Sequence, residues 1–381
     1  MTYRMTVKPE LYEWACNRGD VDPQKLRQRF PMFDEWVSGT KQPTIKQLEK
    51  FAKFTTVPLG ALFLSKPYEE ELPIQDLRTM RNQKIVTPSA NLLDTIYMCQ
   101  QRQDWYQTFA ISEGAKSLRF VGSVTVNSDI HDVAKDIRTA LDFSVQSREQ
   151  LPNWSYALRY FTEKADDLGI LVMISGVVRN NSHRKLDPHE FRGFTLADDI
   201  APLVFINGSD SKAAQIFTLA HELAHVWLGE SSLSNSSLHS PPTHVIEKWC
   251  NQVAAELLVP ALLLNDHFRD DIDLSFEIQR LSKQYKVSTI VILRRLYDLD
   301  MIDQTVFSEQ YRSELKQYTP KRSRGGGNFY ATLKTRVGAR FGEALVDSAL
   351  SGKTVFTDAL YYLGIQKIST LESFAKTLYE E

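Results

Sequence analysis

The chain has few cysteines, almost no net charge and no long apolar run, and each shortage removes a class of protein. Cys16, Cys99 and Cys250 are the only cysteines in 381 residues. An odd number at wide spacing argues against a disulfide framework and fits a reducing compartment. Lys and Arg number 45 against 47 Asp and Glu, a formal net charge of −2. So balanced a chain offers no bulk field to attract nucleic acid or a membrane surface. No apolar stretch approaches the ~20 residues that cross a bilayer. The segment Met1 to Pro9 lacks the apolar centre of a signal peptide. The expectation is a soluble, cytoplasmic protein without a membrane partner. Hydrophobic residues make up 43% of the chain, enough for a sizeable core, and the length suits two or three domains.

Against this background the stretch from Ser211 to Pro260 organises the rest. Ile216, Phe217, Leu219, Ala220, Leu223, Ala224, Val226 and Trp227 would cover most of a helix surface, so the helix is expected to be buried. Asp210 or Ser211 can cap its start and Gly229 its end. His221, Glu222 and His225 interrupt the apolar run, and such groups are costly in a buried helix unless something satisfies them. His221 and His225 are four residues apart, on one face, and can aim both rings at one cation, with Zn–N bonds of about 2.0–2.1 Å. Glu222 is turned about 100° away and can reach a water beside the metal. This is the H-E-x-x-H arrangement. The plainer alternative is a pair of buried histidines hydrogen-bonded to backbone.

A second helix is expected from Val245 to Val259, stopped by Pro260. Glu247 and Asn251 share one face of it. Glu247 is the preferred third ligand, and Asn251 can orient a ligating group. Glu256 is an alternative better suited to packing or pairing. His239 and His244, on a Ser-rich loop over residues 230–244, are further possible ligands; a rigid helix holds geometry better than a loop. That loop can gate a cleft.

These two segments together resemble the ImmA/IrrE family of bacterial zinc metallo-endopeptidases. The family pattern has a Glu, three intervening residues and an Asn, then a small-residue run ending in Leu-Leu-Met-Pro; here Val259 replaces the Met and Cys250 an Ala. Asp187 to Phe194 and Ala201 to Asn207 are also similar to that family. The resemblance spans roughly residues 160–300. It implies a zincin-like peptidase domain over residues 161–302, Zn²⁺ held by His221, His225 and Glu247, and Glu222 as the catalytic general base. It also implies a protein substrate, a repressor-type transcription factor or a partner encoded by a neighbouring gene, cut to switch on stress or mobile-element genes.

Residues 1–66 read as a helical unit: Pro9 to Arg18, a helix capped by Asp22 with Pro23 first, Phe30 to Val37, Thr44 to Phe54, and Pro58 to Leu64. The unit resembles the helix-turn-helix domain of XRE (Cro/repressor-type) regulators, which would place Lys41, Gln42 and Lys46 near DNA. The helix that would enter the major groove carries Asp34 and Glu35 and few base-reading side chains. The segment holds 11 Lys and Arg against 7 Asp and Glu, only mildly basic. A degenerate domain that binds protein is the alternative.

Residues 67–160 are read as a linker and a helical region, with Pro67, Pro73 and Pro88 bracketing the acidic run Glu69 to Glu71. Short apolar runs at Ile170 to Ile174, Phe191 to Thr195 and Leu203 to Ile206 read as strands of a small sheet that could hold an extended peptide. His183 and His189 between them are most simply surface residues. Residues 275–302 have a second helix-turn-helix look, taken as structural. Residues 303–381 are expected to be a hinge around Gly325 to Gly327, beside the basic cluster Lys321 to Arg324, followed by a small helical tail. The fold class is α+β, mainly α. The functional expectation is a zinc endopeptidase. The alternative is a DNA- or protein-binding regulator or antitoxin of a toxin-antitoxin-like system whose zinc site is structural or rarely active.

Overall fold

A computed structural model of the chain describes residues 3–68, 70–77, 88–234, 244–317 and 327–379. Two compact units divide it, one of residues 1–73 and 85–94, the other of residues 74–84 and 95–381. The basic Gly-rich stretch at 321–326, His239 and most of the Ser-rich loop lie outside the described residues.

The first unit holds helices α1 (Pro9–Arg18), α2 (Pro23–Arg29), α3 (Phe33–Val37) and α4 (Ile45–Thr55), then a 3-10 turn at Leu59–Phe63. Local chemistry sets these boundaries. Asp22 accepts a hydrogen bond from the Gln24 amide ahead of Pro23. Thr44 and Gln47 form a reciprocal capping box. Tyr12, Phe30, Phe33, Trp36 and Phe51 form the core, with Tyr12 edge-on to Phe33 at 5.6 Å and to Phe51 at 5.5 Å. Lys41 pairs with Glu35 at 3.4 Å, Gln42 donates to the Thr6 hydroxyl at 3.0 Å, and Lys46 is exposed.

The second unit is mainly helical around a five-stranded mixed sheet. Its strands are β1 (Gln75–Asp76), β2 (Leu171–Ser175), β3 (Gly193–Leu196), β4 (Leu203–Asn207) and β5 (Ser232–Ser234), in the order β1-β5-β3-β4-β2. β2 runs parallel to β4 and β1 parallel to β5; β3 is antiparallel to β4 and β5. The serine-rich segment is therefore not all loop, since β5 lies inside it. β1 likewise lies inside the expected linker and occupies the outer edge of β5.

The helices are α5 (Ala90–Ser112), α6 (Ile130–Ala140), α7 (Val145–Glu149), α8 (Trp154–Leu168), α9 (Lys212–Leu228), α10 (Val245–Leu258), α11 (Ala261–His267), α12 (Leu274–Tyr285), α13 (Thr289–Asp298), α14 (Gln304–Gln317), α15 (Phe329–Val337), α16 (Ala339–Leu350), α17 (Phe356–Leu363) and α18 (Ile368–Tyr379). The period of two puts Val172, Ile174, Val204 and Ile206 in one core with α8 and α9. On the opposite face Phe194 stacks on its cross-strand partner Phe205 at 5.0 Å. Both faces are covered, so the strands are apolar on both sides rather than alternating.

Pro260 prevents α10 from continuing, which leaves its last carbonyls without helical partners. Three guanidinium groups from three elements take them. Arg138 of α6 donates to the Glu256 carbonyl at 2.6 Å, Arg148 of α7 to Leu258 at 2.8 Å, and Arg295 of α13 to Val259 at 3.0 Å. Cations at a helix C-terminus also meet the negative end of its dipole. Glu256 itself is buried against Arg295 and lies 3.0 Å from His131 Nδ1, a structural pairing.

Asp166, near the end of α8, is buried and faces the Val172 amide at 3.4 Å. Burial pushes its carboxyl up to about 8 from an unfolded value of 3.8. The folded chain therefore holds a proton that the unfolded chain has released, and stability falls as pH rises between those values, by ~1.4 kcal/mol for each unit of difference. Asp166→Asn should flatten that fall, measured as the unfolding midpoint between pH 4 and pH 8 (about the span of the two values). An unchanged slope would place the titration elsewhere.

Candidate metal centre

Helix α9 starts at Ser211, whose hydroxyl accepts from the Ala214 amide at 3.3 Å, and stops at Gly229, left-handed at φ 72°. Every residue from Gln215 to Trp227 is buried. α10 packs along it and turns Glu247, in its first turn, toward the two histidines. His221 Nε2 and His225 Nε2 lie 3.2 Å apart; Glu247 Oε1 lies 3.1 Å from His225 Nε2 and Oε2 lies 3.5 Å from His221 Nε2. One ligand atom from each of the three lies within 4.8 Å of the others. Ligands on a tetrahedral ion with bonds of about 2.0–2.1 Å are separated by roughly 3.3 Å, so the spacing fits.

The proton inventory fits too. Asn251 Oδ1 sits 3.0 Å from His221 Nδ1. A carbonyl oxygen accepts only, so with this amide orientation Nδ1 carries the proton and Nε2 presents a lone pair to the centre. Burial opposes charging His221, but Glu247, Glu222 and Asn251 together raise its pKa. Glu247 shows the matching response: burial would raise it, yet the two imidazoles pull it down to about 2, so it stays a carboxylate. Cys250 is adjacent in α10, but burial holds its thiol well above the usual range and keeps it a neutral packing group.

Glu222 is seated apart from the triad by the sheet. Gly193 and Thr195 of β3, with Ser232 and Ser234 of β5 opposite them, project toward α9. Thr195 donates to Glu222 Oε2 at 2.7 Å, and the Ser234 hydroxyl donates to Oε1. A Cβ on Gly193 would lie 2.8 Å from Glu222 Oε1, 2.7 Å from Thr218 Cγ2 and 2.9 Å from the Phe205 carbonyl. The missing side chain is the room the carboxylate occupies. Burial raises the Glu222 pKa, and the nearby histidines and both hydroxyls only partly offset it.

The sequence missed Thr195 and Ser234. The signal was the alternation Ser232-Leu233-Ser234, three residues long and decided by a distant strand. Among the other residues weighed, His183, His189 and His244 are exposed and outside the triad. Gly193→Ala should displace Glu222 or its neighbours and cost about 1–3 kcal/mol of stability, read as a lower thermal midpoint. An unchanged midpoint would mean that the carboxylate has free room.

Two family descriptions match the chain: an IrrE N-terminal-like domain, peptidase M78, over residues 165–297, and a domain of unknown function, DUF8813, over residues 337–377. No curated protein matches it. Among the described residues no helix is long and apolar enough to cross a membrane. Over residues 165–297, which hold the triad and Glu222, the chain is similar to a family of metallopeptidases.

Proposed function

We propose that this chain is a zinc-dependent endopeptidase in which His221, His225 and Glu247 hold the metal and Glu222 carries the proton. The convergence of the three buried ligand atoms supports this reading most directly. Two imidazoles and one carboxylate are a catalytic zinc set, which leaves a fourth position for water or substrate. Zinc bound there supplies Lewis acidity that polarises a peptide carbonyl and shifts the pKa of water toward ~7.

The protein's own groups do the rest. Asn251 fixes the His221 tautomer, and Glu247 remains ionised beside both imidazoles. Glu222 takes a proton from water as its oxygen bonds to the scissile carbon, then delivers it to the departing amine nitrogen as the C–N bond breaks. Thr195 and Ser234 hold the carboxylate in one orientation.

The resemblance to repressor-cutting peptidases supports a protein substrate of the repressor class. The second reading, regulation through DNA bound by residues 1–66, has less support. Lys41 and Gln42 are already engaged by Glu35 and Thr6.

Purified protein should carry about one zinc per chain. Glu247→Ala should lose most of it, and Glu222→Gln should keep it. Comparing new protein N-termini in cells that express the wild type or Glu222→Gln tests turnover: cleavage products should appear only with the wild type. Products that persist with the variant would rule out this mechanism. An absence of zinc even after reconstitution would move the weight to the regulatory reading.

A further inference from the structure

On the sheet face away from α9, three arginines converge where no catalytic role reaches. Arg102 of α5, Arg336 of α15 and Arg179, in the loop after β2, line a cavity of ≈ 20 Å³ beside Cys99 and Ser175. Arg102 is buried at its floor. Its Nε and Nη2 donate to the Tyr362 carbonyl, in the last turn of α17, at 3.0 and 2.7 Å. Arg336 is partly buried, and its Nε is buried without a partner. Arg179 is exposed at the rim; its guanidinium lies 4.5 Å from the Tyr361 ring centroid and donates to the Tyr361 hydroxyl at 2.8 Å.

What is missing is negative charge. Among the described residues, no carboxylate pairs with any of the three guanidinium groups. Cys99 does not supply it, because burial pushes its thiol up to about 12. The Tyr362 carbonyl and the Phe341 ring, 5.8 Å from Arg102, ease one cation without neutralising the set. Burial together with the repulsion of Arg179 and Arg336 brings Arg102 down to about 10, still charged at neutral pH. A buried guanidinium, Arg102, facing two further cations without a counter-ion is costly. The cavity has room for one water-sized occupant, and a neutral water does not offset the charge.

We propose that this cavity binds one monatomic anion, chloride or another halide, between Arg102, Arg179 and Arg336, and that the anion pins α15 and α17 to the β2 side of the sheet. The size of the cavity argues against phosphate and sulfate. The site is independent of the metal centre, and neither zinc nor turnover enters its test.

The experiment is thermal unfolding of the full chain at constant ionic strength, with sodium chloride exchanged stepwise for sodium gluconate. The wild type should show a saturable rise in Tm of about 2–4 °C with chloride, reproduced by bromide. Arg336→Met should abolish the rise. Arg179→Met, at an exposed position and safe for folding, should shift its midpoint to several-fold higher chloride. Coincident chloride and gluconate curves for the wild type would mean that water fills the cavity, and would overturn the proposal. A full response retained in Arg336→Met would show a general salt effect and overturn it as well. So would a response to sulfate without one to chloride.

Discussion

Four ionisable side chains, His221, Glu222, His225 and Glu247, are buried together, and the peptidase-like region is built to make that tolerable. An isolated carboxylate or imidazolium in such a place would be prohibitive. The four answer one another in part, with His225 Nδ1 left buried without a partner. Glu247 is ionised against two imidazoles, Asn251 settles one tautomer, and two hydroxyls of the sheet occupy both oxygens of Glu222. The helix pair supplies the three candidate ligands, while the sheet supplies the seat of Glu222. Neither layer completes the centre alone.

This division explains how much was legible in advance. Helix chemistry is local, so Asp22 with Pro23 and Ser211 with Gly229 marked helix ends from sequence. The i, i+4 rule alone brings His221 to His225 and Glu247 to Asn251. Sheet chemistry is not local. Whether Thr195 faces α9 depends on its register against Val204 and Ser232, which lie far along the chain. A three-residue strand inside a serine-rich segment has too little periodicity to announce itself. Gly193 was visible as part of a familial run, but its reason, the volume taken by Glu222, exists only in three dimensions.

The C-terminal helices follow the same logic on the other side of the sheet. Phe341, Leu345, Leu363 and Leu371 are buried there while Leu350 is exposed, and the contacts that attach these helices join residues far apart. Arg102 reaches the Tyr362 carbonyl, and Arg340 reaches the Tyr106 hydroxyl at 2.7 Å and the Asp166 carbonyl at 3.0 Å. A helical tail could be inferred from spacing. Its attachment through buried guanidinium groups could not, because an arginine in sequence is by default a surface residue.

The three arginines at the end of α10 make the helix a rod clamped at its far end. Leu258, held by Arg148, lies eleven residues beyond Glu247, or roughly 16 Å along the axis at 1.5 Å per residue. The clamp sets how far the rod protrudes and how it is rotated, and so where Glu247 stands against the two imidazoles. Arg138, Arg148 and Arg295 bond to the backbone of α10 and the residue after it, away from the triad, yet they belong to the candidate metal centre as foundations belong to a span. Changes there would surface as altered metal affinity at a distance from any ligating atom.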